Sequence, residues 1–217
     1  MLLRFVGNEI APAVLAILLG MLVAGCSSVL APLPDPTHYF ILSADSPAAS
    51  SPQSAAANAS AKLVIGLGPV NFPDYLARSE MVTRLSEDRL AISSDERWAE
   101  PLDVSFKRVL AHDLSNALNG AQVAVFPWVG ETLQPNYLVE MTVDRFDTDA
   151  QGAAQLVARW TVSATNPTRV VYSSTSVINV PASSGADRSA AVGALNQAVS
   201  QYGGELAAAI FRLNRRG

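Results

Sequence analysis

The only cysteine of this 217-residue chain, Cys26, ends an apolar run and directly follows the small residues Ala24 and Gly25. Arg4 and an apolar stretch over residues 10–22 lie ahead of it. A charged start, an apolar middle and small residues before a cleavage point are typical of a secretory signal peptide. We therefore predict that residues 1–25 are a signal peptide. An exported chain with one cysteine forms no internal disulfide, so its hydrophobic core must hold the fold.

The sequence Leu-Val-Ala-Gly-Cys at residues 22–26 resembles a bacterial lipobox. That resemblance implies that Cys26 carries lipid, palmitate among its acyl chains, and becomes the first residue of the mature protein. A membrane-spanning helix is the weaker alternative, because it needs about 20 mostly apolar residues and Glu9 and Pro12 lie at the start of this run. The resemblance also implies that sorting depends on the residue after the cysteine. Ser27, in place of the aspartate that usually retains lipoproteins at the inner membrane, then predicts the periplasmic face of a Gram-negative outer membrane.

Two segments that follow are low in complexity. Residues 26–36 contain three prolines and are predicted to form a semi-extended, lipidated tether. Residues 43–61 are almost wholly Ser, Ala and Pro and are predicted to be disordered. They are either a loop between the first two strands or a second tether that leaves residues 39–42 outside the fold. We favour the loop, because an exposed Tyr-Phe-Ile-Leu run would promote non-specific association. We therefore predict one domain over residues 37–217.

The periodicity of the remaining chain predicts an α+β two-layer sandwich. Apolar residues recur at helical spacing over residues 101–119 and 187–212, with Gly203 and Gly204 marking either a kink or a close approach of the sheet backbone. Strict alternation over residues 137–143 and 154–162, followed by a strand at 169–180, predicts an antiparallel meander with one packed face. We expect an antiparallel sheet with both helices packed on one face.

No catalytic or metal-binding set stands out in the sequence. His112 is next to Asp113, but adjacent helical residues do not face each other, so a solvated helix face is the better interpretation. The aspartates at 144, 147 and 149 lack the glycine and closing glutamate of a calcium loop and are interpreted as a charged strand end. We predict no enzymatic activity, no metal and no cofactor besides the lipid on Cys26. The net charge of −4, without a basic stripe, predicts no nucleic-acid partner.

Three aromatic residues and two arginines form a candidate partner-binding set. Tyr75, Trp98 and Trp128 lie in predicted turns, with Arg78 and Arg84 close by in sequence. Such residues are favoured anchors of protein interfaces. The alternative is that the rings cap the edges of the sheet.

Read in order along the chain, these segments resemble the PqiC/YmbA family of ABC-type transport auxiliary lipoproteins. The segments that carry the resemblance, after the lipobox, are Tyr-Phe-Ile-Leu at 39–42, Ile-Gly-Leu-Gly-Pro-Val at 65–70, Pro-Asp-Tyr-Leu at 73–76, Met-Val-Thr-Arg at 81–84, Arg-Trp-Ala-Glu-Pro-Leu at 97–102, Phe-Pro-Trp at 126–128 and Arg-Trp at 159–160.

The resemblance implies an outer-membrane lipoprotein that works with an Mce-domain protein and an ABC or PqiA-like permease. Such an assembly moves lipids or other hydrophobic molecules between the two membranes, and the lipoprotein docks or supports the Mce-protein conduit. The family also implies that copies can form a homo-oligomeric ring. Two alternatives stay open: a periplasmic lipid-binding carrier with a pocket between helices and sheet, and an envelope assembly or activator lipoprotein.

Overall fold

The computed structural model describes residues 35–44, 63–127, 134–183 and 187–215. The chain divides into two units, Met1–Pro36 and Thr37–Gly217, and the helices and strands that the structure describes belong to the second. Its elements are β1 His38–Phe40, β2 Val64–Asn71, a short 3-10 helix Asp74–Leu76, β3 Glu80–Ser86, β4 Arg89–Trp98, α1 Leu102–Ala117, β5 Gln122–Val125, β6 Tyr137–Asp149, β7 Ala154–Thr165, β8 Thr168–Val180 and α2 Arg188–Asn214.

Among the residues that the structure describes, eight strands form one sheet, which is mixed rather than antiparallel. Strands β6, β7 and β8 form the predicted antiparallel meander, and β3 and β4 form an antiparallel hairpin. Four other pairings are parallel: β1 with β4, β2 with β5, β2 with β6, and β3 with β6. The predicted α+β class is confirmed, and the predicted antiparallel sheet is corrected to a mixed one. Parallel strands are joined by long connections rather than by a short turn, so no local sequence signal predicts their pairing.

The core lies on one face of this sheet, under α1 and α2. Val139, Met141 and Val143 of β6 are buried, whereas Glu140 between them and Asp144 directly after them are exposed. The predicted apolar face of α1 is buried along its whole length, from Leu102 to Leu114 and on to Leu118. Tyr202 of α2 is fully buried with its ring against Phe106 of α1. Apolar periodicity therefore identified the buried faces of both helices.

The aromatic segment near the start of the domain belongs to the fold. Strand β1 pairs in parallel with the end of β4, and Leu42 just after it is completely buried. This contact excludes the alternative in which residues 39–42 lie outside the domain. Most of the 43–61 segment, predicted to be a disordered loop, falls outside the described residues, as do residues 1–34.

The two glycines in α2 do not interrupt the helix, which runs continuously from Arg188 to Asn214. A methyl group on Gly203 would lie 3.2 Å from Cβ of Asp113 and 3.5 Å from Cδ1 of Leu110, both on α1. Gly204 has open space at the same position. The predicted close approach therefore exists at Gly203, but it is an approach to the other helix, not to the sheet backbone.

Candidate functional site

A β-bulge in β6 creates the polar part of the candidate site. The pairing with β7 shifts register between Val143 and Arg145, so that Val143 opposes Ala158 and Phe146 opposes Leu156. The extra residue places Phe146 on the core face together with Val143, and turns Arg145 and Asp147 to the opposite face. The side chain of Asp147 is nonetheless completely buried there, because other side chains cover it.

Asp147 is the centre of an ionic cluster with three donors. Arg84 donates to Oδ2 of Asp147 from Nε (3.0 Å) and from Nη2 (2.8 Å). Arg145 donates from Nε to Oδ1 (2.8 Å), and the Tyr75 hydroxyl donates to Oδ2 (3.1 Å). Both carboxylate oxygens therefore have charged donors, as a buried carboxylate requires.

The side chains of Tyr75 and Arg84 both point toward Asp147, which they bond. Burial raises the pKa of the Tyr75 phenol, and the charge of Asp147 and the hydrogen bond to it raise it further. The hydrogen bond to Asp147 likewise raises the pKa of Arg84. Arg84 also lies over the Tyr75 ring, 5.7 Å from its centroid, and donates to the carbonyl oxygen of Glu87 (2.9 Å). Much of the bonding capacity of both side chains is thus used within the protein.

A cleft of about 690 Å³ lies beside this cluster, between the end of β2, the segment after the 3-10 helix, and the start of α1. Arg78 and Trp98 of the predicted set both line it. Trp98 is the last residue of β4 rather than a turn residue, and only 7% of its surface is exposed. Its backbone N–H donates to the carbonyl oxygen of Ser79 (2.6 Å). This hydrogen bond joins β4 to the segment that carries Arg78.

The acidic residues on the cleft wall are each bound to a cation. Glu100 accepts hydrogen bonds from the Ser105 hydroxyl (2.6 Å) and from Arg108 Nη2 (2.5 Å), and these bonds lower the pKa of its carboxyl. Asp103 forms an ion pair with Lys107 one turn along α1 (3.1 Å). By contrast, Nε of Arg78 is buried and has no hydrogen-bond partner among the described residues.

The structure thus brings the predicted residues together in two adjoining groups. Tyr75 and Arg84 belong to the ionic cluster, Arg78 and Trp98 line the cleft, and the segment from Tyr75 to Arg78 connects the two. Cys26, Ser27 and Trp128 lie outside the described residues.

Sequence reasoning missed Asp147, which was interpreted as part of a charged strand end. The alternation over residues 137–143 contained no sign of the bulge that redirects Asp147. A signal does lie beyond that segment. Continued alternation after Val143 would put Asp147 on the core face and Phe146 on the outer face, which their polarity disfavours, and the register shift after Val143 reverses the two.

The other candidate residues have no site-like arrangement in the described parts of the chain. His112 is exposed on α1, which agrees with a solvated helix face. Within residues 35–44, 63–127, 134–183 and 187–215, no group of three or more His, Cys, Asp or Glu is arranged to hold a metal ion. Over those same ranges, no helix combines the length and the apolar character needed to cross a bilayer.

Two solved structures share this fold at low sequence identity. A crystal structure of an uncharacterized protein aligns with a TM-score of 0.64 and 20% identity, covering 80% of this chain and 98% of the other. The crystal structure of protein XCC0632 from Xanthomonas campestris aligns with a TM-score of 0.62 and 18% identity, covering 82% and 98%. At these identities the likeness concerns the fold alone.

Comparison at the level of families is more specific. No protein in the curated set matches the chain. The family model described as the ABC-type transport auxiliary lipoprotein component matches residues 42–207, which span β2 to β8, α1 and most of α2. This chain therefore belongs to the family of ABC-type transport auxiliary lipoprotein components.

Proposed function

We propose that this protein is the outer-membrane lipoprotein subunit of an Mce-type, ABC-dependent system that transports lipids or other hydrophobic molecules between the two membranes. Its role is to dock or support the conduit formed by the Mce-domain protein, without catalysing a reaction. The observation that carries the proposal is the family match over residues 42–207. The lipobox-like sequence ahead of the domain supports it, because an auxiliary subunit of this kind needs a membrane anchor.

The anchor in this proposal is a covalent lipid on Cys26. Each buried methylene contributes about 0.8 kcal/mol, so one acyl chain holds only marginally whereas two or three hold stably. Ser27 in place of aspartate supports transfer to the outer membrane. Residues 27–36 span at most about 30 Å when extended, which keeps the domain near the periplasmic face of that membrane.

The docking surface in this proposal centres on the segment that joins the two groups of the candidate site. Tyr75 and Arg84 are held rigidly by Asp147, and rigid aromatic and arginine side chains make good interface anchors. Arg78 lies three residues after Tyr75, and its buried Nε has no hydrogen-bond partner in the described domain. Trp98 and Trp128 complete the predicted set.

The lipid-carrier alternative is less well supported, because the interface between helices and sheet is filled. Phe106, Phe146 and Tyr202 are all less than 2% exposed and occupy that interface. Phe106 contacts Phe146 edge to face at a centroid distance of 5.3 Å. A carrier of the kind predicted, with its ligand between the two layers, would need a cavity where these rings pack.

Affinity purification of the full chain from crosslinked cells of its own organism tests the proposal. We expect an Mce-domain protein and a permease to be recovered with it and identified by mass spectrometry. Recovery of the chain without either protein would contradict the transport role.

A matched pair of charge reversals then tests the docking surface separately. We expect Arg78→Glu to reduce recovery of the Mce-domain protein, and Arg89→Glu, at the exposed β3–β4 hairpin, to leave it unchanged. Equal recovery with both variants would move the docking surface elsewhere and leave the transport role intact.

A further inference from the structure

The cleft contains one charged group that nothing in the described domain neutralises at close range. Arg78 forms no ion pair there, and its buried Nε has no hydrogen-bond partner. The nearby carboxylate of Glu80 forms an ion pair with Arg97 (2.8 Å). Hydrogen bonds from the Glu80 backbone amide and from Arg97 do most to lower the pKa of this carboxyl, and the charge of Arg78 contributes less. The residue as a whole is only partly buried, but its Nε is removed from solvent without a partner. A buried donor without an acceptor is costly in free energy, and an anionic ligand would supply that acceptor.

The first turn of α1 adds a second source of positive potential to the same cleft. Leu102 and Asp103 line it, and the N-cap residue, Pro101, offers no side-chain hydrogen bond to the free N–H groups of the first turn. The N-terminal end of a 16-residue helix carries a partial positive charge that favours anions. Asp103 itself is held by Lys107, so its carboxylate is already paired.

The remaining walls of the cleft are mainly apolar. Val70, Phe72, Leu76 and Trp98 contribute to them. The volume of about 690 Å³ lies within the range of about 300–1,000 Å³ that ligand-binding clefts occupy. An occupant therefore needs an apolar body next to one acidic group.

We propose that this cleft binds a single-chain amphiphile with an acidic headgroup, the head at Arg78 and the first turn of α1 and the alkyl chain along the walls formed by Val70, Phe72, Leu76 and Trp98. A polypeptide segment fits less well. It presents a main-chain amide about every 3.3 Å that needs a hydrogen-bond partner, and apolar walls supply few. The site is distinct from the helix–sheet interface. It shares Arg78 and Trp98 with the proposed docking surface, so the experiments below separate a lipid occupant from a protein one.

Photolabelling of the full chain in phosphatidylcholine nanodiscs tests this site. The probes are a diazirine-bearing palmitate and its methyl ester, which has the same chain without the charge. We expect the acid to label peptides that contain residues 70–79 and 98–103, and the ester to label them about tenfold less, because a charge-assisted contact is lost.

Three substitutions separate charge from folding. Arg78→Gln is expected to weaken labelling by the acid about tenfold. Arg78→Lys, which keeps the charge, and Arg89→Gln, which removes a charge at the exposed hairpin, are expected to retain it. Equal labelling of wild type and Arg78→Gln, equal loss in Arg78→Lys and Arg78→Gln, or labelling only outside the cleft would overturn the proposal.

A photoreactive residue inside the cleft distinguishes a lipid from a protein occupant. Ala77 lines the cleft and is exposed, so Ala77→p-benzoylphenylalanine places the crosslinker there in living cells. An adduct with the mass of a lipid acid supports the proposal. An adduct with a polypeptide, or no adduct of lipid mass, would overturn it, and a polypeptide identified as an Mce-domain protein would support docking instead.

Discussion

Arg84 and Asp147 lie 63 residues apart in sequence, yet two nitrogens of Arg84 bond the same carboxylate oxygen of Asp147. The pair joins β3 to β6, two parallel strands whose direct pairing covers only Thr83 with Thr148 and Arg84 with Asp149. Side-chain bonds thus reinforce the place where the backbone ladder is shortest. The β3–β4 hairpin is held to the rest of the sheet at this point.

Loss of the Arg84 side chain is expected to destabilise the domain strongly. Arg84→Met leaves Oδ2 of Asp147 with only the Tyr75 hydroxyl, and removing one partner of a buried pair costs about 3 kcal/mol. Urea unfolding followed by tryptophan fluorescence measures this change. Arg159→Met is the control, because its ion pair with Asp144 is exposed and is worth less than about 1 kcal/mol. Similar costs for the two variants would contradict the buried pair.

Alanine substitutions at the two adjacent glycines of α2 are expected to change the stability of the domain in opposite directions. Gly203→Ala forces a methyl group to 3.2 Å from Asp113 Cβ, so we expect a loss of about 1–3 kcal/mol from overpacking. Gly204→Ala meets no atom within 4 Å, so the better helix propensity of alanine is expected to stabilise by up to about 1 kcal/mol. Thermal unfolding of both variants checks the sign. A gain at both positions would show that α1 and α2 are not in close contact at Gly203.

Tyr202 is expected to make the domain sensitive to alkaline pH. Burial, and secondarily the charge of Glu205, raise the pKa of its phenol, whereas in the unfolded chain it titrates near pH 10. Below pH 10 both states hold the proton and its contribution to stability is complete. Above pH 10 the unfolded state loses the proton first, so stability falls by about 1.4 kcal/mol per pH unit from this group.

The variant Tyr202→Phe tests that dependence. Its free energy of unfolding is expected to fall less than that of the wild type between pH 8 and pH 11 in urea titrations. Tyr39→Phe is the control, because Tyr39 is 64% exposed, and it should follow the wild type. Parallel curves for the wild type and Tyr202→Phe would exclude the role of the buried phenol.

Substitution of Cys26 is expected to abolish lipid attachment. Cys26→Ala removes the sulfur that receives the acyl group, so radioactive palmitate should no longer label the protein and the unprocessed precursor should accumulate. Ser28→Ala, two residues away, should label as the wild type does. Undiminished labelling of Cys26→Ala would place the lipid elsewhere, and an unlabelled wild type would refute the anchor.

The residue after the cysteine is expected to decide which membrane holds the protein. Ser27→Asp introduces the residue that usually retains lipoproteins at the inner membrane, so density-gradient fractions of cell envelopes should show a shift to that membrane. Ser27→Ala should remain with the outer membrane. An unchanged distribution of Ser27→Asp would mean that sorting follows another signal.

Local patterns in the sequence were sufficient to predict the class of fold and the two helices. The apolar face of α1, including Phe106 and Leu110, is buried as its periodicity indicated, and alternation identified the packed face of β6 from Val139 to Val143. Both patterns arise within one element, where burial on one side imposes a fixed period. Tyr75, Arg78, Arg84 and Trp98 could be selected by residue type and by their place in or near predicted turns, but the sequence does not show which residues they contact.

Amino-acid order alone thus specified where helices and the meander form, which side of each is apolar, and the signal and lipobox pattern that ends at Cys26. Tertiary structure decided the four parallel pairings, the burial of Asp147 by Arg84 and Tyr75, and the cleft at Arg78. These features depend on contacts between residues many positions apart and on a one-residue bulge in β6. Such contacts leave no periodic trace in the chain, because each is set by the packing of several elements at once.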